Sequence, residues 1–263
     1  MRCYAVALAG IMMGSLAIFV RNIHTDPLTL TFFRFSFGAI FLLPFVRDLK
    51  IDDPKLILCV AMMNLATVSC YIASIQTLEV ATSALLLYMA PVYVTVYVWL
   101  KEGSLDGKSL LALLLAITGL LLMLTPYGRL SIGIIFGLLS GVFYAILFIV
   151  TKKARESMPS INLTFLSLAI SSVILSPILL KSYEIVFDNL FWIIGLGLIP
   201  TSLAFTLFNY GIKHCKIEKA PILALIEPVS AGIFGYIFFG EILTPKQILG
   251  ATLILSAILL THD

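Results

Sequence analysis

Apolar stretches separated by short polar links account for nearly all of the chain, and the stretches are of one length class. They fall at 3–20, 28–46, 55–76, 80–99, 108–126, 132–151, 161–180, 189–210, 219–239 and 244–261. Each is close to the ~20 residues that an α-helix needs to cross a hydrocarbon core about 30 Å thick. Barrel strands would require period-two alternation with polar turns every ten or so residues, and neither pattern is visible. The prediction is an all-α membrane protein with ten transmembrane helices. The links between the stretches are too short to house a soluble domain. The first stretch competes with a cleaved signal peptide, but nothing like A-x-A follows Val20 and the run is long enough to cross, so it is kept as a span.

Composition removes the water-soluble alternative. Of 263 residues, 60% are hydrophobic and 12% charged, against about 45–50% and about 25% in soluble domains. The net charge of +3 points to topology rather than to nucleic acid, because the cations lie in the links. With the N-terminus inside, Arg2, Arg47, Lys50, Lys55, Lys101, Lys108, Lys152, Lys153, Arg155, Lys213, Lys216 and Lys219 fall on the inner side. Only Arg21, Arg129, Lys181 and Lys246 fall outside. That bias predicts a multi-pass protein of the cell membrane with both termini cytoplasmic.

The pattern also repeats. Leu30-Thr31-Phe32 recurs as Leu163-Thr164-Phe165, and Pro44 as Pro177, at an offset of 133 residues. The stretch Ala81 to Pro91 resembles Glu218 to Pro228 at an offset of 137. Two repeats of five spans are predicted, 1–127 and 128–263. Five is odd, so the second must enter the membrane from the opposite side. Inverted repeats of this kind place a solute site near the midplane and rock one set of helices against the other, which is the step from fold to a transport function.

Charge inside a span costs about 2.5–3.5 kcal/mol near the helix centre, so intramembrane charges mark function or pairing. Two are clear: Arg34 in the second span and Glu227 in the ninth. Facing a water-filled cavity, Glu227 would titrate or meet a cationic group and Arg34 would meet a carboxylate; the structural reading pairs them with each other or with backbone carbonyls. Pro91 and Pro228 sit mid-span, where each removes a backbone hydrogen bond, and they are candidate hinges. Polar residues cluster on the third span (Asn64, Thr67, Tyr71, Ser74, Gln76), the fourth (Tyr88, Tyr93, Tyr97) and the eighth (Thr201, Ser202, Thr206, Asn209). Tyr144 on the sixth joins them. The candidate substrate-binding or coupling set is Glu227, Arg34, Asn64, Tyr71, Tyr88, Tyr144, Thr206 and Asn209. The glycine pairs Gly10/Gly14 and Gly137/Gly141 have the spacing of close helix contacts.

Other chemistry finds no support. Cys3, Cys59, Cys70 and Cys215 lack CxxC spacing and suggest neither a disulfide framework nor a zinc site. Gly107-Lys108-Ser109 lacks the earlier glycine of a phosphate-binding loop, HExxH and G-x-S-x-G are absent, and no aspartate lies within a span. No metal, cofactor or enzyme activity is expected.

Phe33-Arg34-Phe35, Glu227-Pro228 and Phe239-Gly240-Glu241 followed by Thr244-Pro245 and Gly250, on two five-helix halves, resemble the EamA-type transporters of the drug/metabolite transporter superfamily. The resemblance implies a ten-helix bundle around a central cavity that moves amino acids, amines or related metabolites, often outward. The partners implied are a small-molecule substrate and the lipid bilayer, with no nucleic acid; a homodimer stays open. The alternative is a membrane enzyme or lipid-handling protein without solute transport. Two departures stand out. Pro91 precedes Glu102 by 11 residues while Pro228 precedes Glu241 by 13, and Ala90 occupies the place of Glu227 in the first half.

Overall fold

The computed structural model describes residues 2–23, 25–75, 80–103, 106–124, 132–178 and 185–260. Among them there is helix and no strand. Nine helices are long and apolar enough to cross a membrane: α1 Arg2–Val20, α2 Leu28–Phe45, α3 Pro54–Ser74, α4 Ser83–Glu102, α5 Gly107–Leu124, α6 Ile132–Ser157, α7 Ser160–Ile178, α8 Asn189–Ile212 and α9 Lys219–Phe239. The tenth apolar helix, α10 Pro245–Leu260, has 16 residues. It is short because Gly240, at φ 66°, ends α9 in the left-handed region and α10 restarts only at Pro245.

Local chemistry sets the ends. Asp26 caps α2, its carboxylate accepting from the amides of Leu28 and Thr29 at 3.0 Å, the groups a helix start leaves unpaired. Pro44 and Pro177 lie in the 3-10 turns that end α2 and α7, Leu43–Phe45 and Ser176–Ile178. The outside of the bundle is apolar, with Leu100, Phe191 and Leu259 exposed. That inversion of the soluble pattern fits lipid as solvent.

The packing falls into matched pairs. α3 packs on α6 and α8 on α1; α4 packs on α6 and α9 on α1; α3 packs on α7 and α8 on α2; α2 meets α7 and α5 meets α10. Glycines permit the closest of these approaches. A Cβ on Gly10 or Gly14 of α1 would strike Ala224, Ile226 or Glu227 of α9, and one on Gly137 or Gly141 of α6 would strike Leu86 of α4. Gly119 of α5 and Gly250 of α10 bring the two backbones together in the same way.

One expectation fails. Cys3 and Cys215 form a disulfide, with Cα atoms 5.0 Å apart, while Cys59 and Cys70 are free. The pair is 212 residues apart in sequence, so spacing carried no sign of it. It forms because the start of α1 packs against the end of α8.

Candidate functional site: a central cavity

The helices enclose a cavity of about 380 Å³, within the range of small-molecule sites, about 300–1,000 Å³. It runs from Thr25, a partly exposed residue after α1, to Thr151, Thr164 and Asn209 near the far ends of α6, α7 and α8. A 19-residue α1 spans about 28 Å at 1.5 Å per residue. Thr25 and Cys3 therefore mark opposite ends of the bundle.

Two helices are broken beside the cavity. α4 stops at Leu87 and restarts at Ala90, and α9 stops at Ala224 and restarts at Ile226. Pro91 is the second residue and Pro228 the third of the restarted helix, and neither has an amide hydrogen to carry the ladder across. Glu227 consequently sits in a first helical turn, where the helix dipole favours a carboxylate. Its side chain lines the cavity and hydrogen-bonds with the Tyr88 hydroxyl from the break in α4.

Arg34 enters the cavity from α2. Its Nε donates to Thr201 Oγ1 at 2.8 Å and Nη2 to the Pro200 carbonyl at 3.2 Å, and its guanidinium lies 5.3 Å from the Phe205 ring centre. The carbonyl is available because α8 widens into a π-helical segment at Leu198–Leu203 around Pro200, a distortion frequent at functional sites. Thr201 and Ser202 reach back to the carbonyls of Leu196 and Gly197, both at 2.7 Å. Among the described residues the one ion pair is Arg21–Glu241. Arg34 and Glu227 thus share the chamber without pairing directly, although Arg34 is the charge that acts on Glu227.

Of the remaining predicted residues, Asn64 and Tyr71 from α3, Tyr144 from α6 and Asn209 from α8 line the cavity. Asn209 is partly committed, its Nδ2 donating to Thr164 Oγ1 at 2.7 Å. Tyr88 interacts with Glu227 but is not part of the lining. Thr206 does not reach the cavity, and its buried hydroxyl has no hydrogen-bond partner. Gln76, His24, Arg129, Lys181 and His262 lie outside the described residues. The sequence reading missed the role of Pro200, although a third mid-span proline beside Thr201 and Ser202 was a usable signal.

The EamA-like transporter family matches this sequence twice, over residues 2–125 and 131–262. The chain belongs to that family. It is 46% identical over 257 residues to an uncharacterized transporter of Archaeoglobus fulgidus, covering 97% of this chain and 94% of the relative. It is 24% identical to the pseudopaline exporter CntI of Pseudomonas aeruginosa, over 87% of this chain and 83% of the exporter. The S-adenosylmethionine uptake transporter of Rickettsia prowazekii is also 24% identical, over 87% and 80%. A solved crystal structure superimposes with a TM-score of 0.84 over 99% of this chain and 96% of its own, at 13% identity, a likeness of fold. This EamA-like chain is a multi-pass membrane protein, and its family is one of small-molecule transporters.

Proposed function

We propose that the protein is a secondary transporter that exports small metabolites, such as amino acids, amines or related compounds, by alternating access through the central cavity. The observation that carries this reading is one chamber holding both intramembrane charges, Arg34 and Glu227, without an ion pair between them. Charges kept unpaired in an apolar surround are costly unless a solute or proton uses them. In this reading Arg34, Asn64, Tyr71, Tyr144 and Asn209 contact the solute, Tyr88 orients Glu227, and Pro91 and Pro228 permit movement at the breaks. Thr206 plays no direct part.

The same reading takes 1–127 and 128–263 as inverted five-helix repeats, with both termini cytoplasmic in the cell membrane. The matched packing supports it: exchanging each helix for the one five places along turns α3–α6 into α8–α1 and α4–α6 into α9–α1. The prolines of the two breaks are also 137 residues apart. Two related halves of opposite insertion supply two gates around one site.

Flux of labelled amino acids and amines in liposomes, with and without an imposed pH gradient, tests the proposal. The expected result is saturable flux that Glu227→Gln lowers at least about tenfold, equivalent to ~1.4 kcal/mol, with the melting temperature retained. Unchanged flux in a folded Glu227→Gln protein removes Glu227 from the mechanism. Flux indifferent to the gradient excludes proton coupling.

A further inference from the structure

Toward the Cys3 end the cavity finishes at buried Thr151, Thr164 and Asn209, and beside them α6 carries two cations that the transport reading does not use. Lys152 and Arg155 occupy the last two turns of α6. Arg155 is only 6% exposed, and its Nε donates to the carbonyl of Asn209 at 2.7 Å. The Lys152 ammonium donates to the carbonyl of Cys215. Asn209 lies in the last turn of α8, whose carbonyls lack partners within the helix and form the negative end of its dipole. Arg155 therefore caps a neighbouring helix rather than its own, and Lys152 binds the link that follows that helix. The bonds are charge-assisted and stronger than neutral ones, and water can replace them when the helices part.

The receiving side is fixed. The disulfide holds Cys215 to Cys3, and α1 is pressed on α8 and α9 through Gly10, Gly14 and Gly211. Asn209 also binds Thr164 of α7, so the contact sits directly on the cavity floor.

We propose that Lys152 and Arg155 form a releasable latch that keeps the floor of the cavity shut, and that α6 must let go of the Asn209 and Cys215 carbonyls for the Cys3 end to open. This rests on the alternating-access reading, so the test is independent of solute flux. Ser167 lines the cavity. Ser167→Cys, in a background with Cys59 and Cys70 changed to alanine, is reacted with a membrane-impermeant maleimide in vesicles of each orientation. Lys153→Cys, at an exposed site beside the latch, identifies the Cys3 side. The parent reacts mainly from the Thr25 side. Lys152→Gln with Arg155→Gln raises the rate from the Cys3 side about tenfold, with a matching fall from the other. A folded double variant that keeps the parent rate on both sides overturns the latch. Should the double variant fail to fold, Lys152→Gln alone decides: Lys152 is only partly buried, and its loss should raise the rate about threefold, with no change again overturning the proposal. A protein that labels as expected but moves no solute fails the transport reading instead.

Discussion

The breaks in α4 and α9 share a construction. Each helix stops four residues before a proline and restarts just ahead of it, at Ala90 before Pro91 and at Ile226 before Pro228. Each is approached by a glycine pair on a facing helix, Gly137 and Gly141 for α4, Gly10 and Gly14 for α9. Their contents differ. The residue before the proline is Ala90, fully buried and packed in the core, in one, and Glu227, facing the cavity, in the other. The break in α4 instead contributes Tyr88, which binds Glu227. The backbone device occurs twice and the charge once.

The sharpest way to break that comparison is Ala90→Glu. Ala90 has no exposure, so a carboxylate there meets packed side chains instead of a cavity, at a cost of about 2.5–3.5 kcal/mol. A large fall in melting temperature or yield is expected; a stable, active Ala90→Glu protein would make the two breaks interchangeable. Next, Gly14→Val and Gly141→Val each force side-chain atoms against backbone, of Glu227 and of Leu86 respectively. Overpacking of this kind costs about 1–3 kcal/mol. Similar losses of thermal stability would confirm that the breaks are packed alike, and a loss at one alone would separate them. Tyr88→Phe keeps the ring and removes the hydrogen bond to Glu227. Flux should drop about fivefold with little change in stability, because such a bond contributes about 0.5–1.5 kcal/mol. The smallest effect belongs to Arg21→Ala, which removes a half-exposed ion pair with Glu241 at 2.5 Å. Exposed pairs contribute about 0–1 kcal/mol, so melting should barely shift, in contrast to the buried contacts at the breaks.

Helix positions followed from the sequence because in lipid a helix must be apolar along its whole length and must satisfy its own backbone, and both demands are written locally. The same locality exposed Arg34 and Glu227 as costly charges and Pro91 and Pro228 as interruptions. The spacing of Asn64 and Tyr71 along one face of α3 also pointed to the cavity wall they form. Contacts between distant segments were not legible. The Cys3–Cys215 disulfide, the grip of Arg34 on Pro200 and Thr201, the turning of Thr206 away from the cavity, and the bonds of Lys152 and Arg155 to the carbonyls of Cys215 and Asn209 all depend on which helix lies against which. Periodicity along one helix records which face is polar but not the neighbour that face will meet. That choice is made by packing at glycines and by the few geometries in which a buried polar group finds a partner.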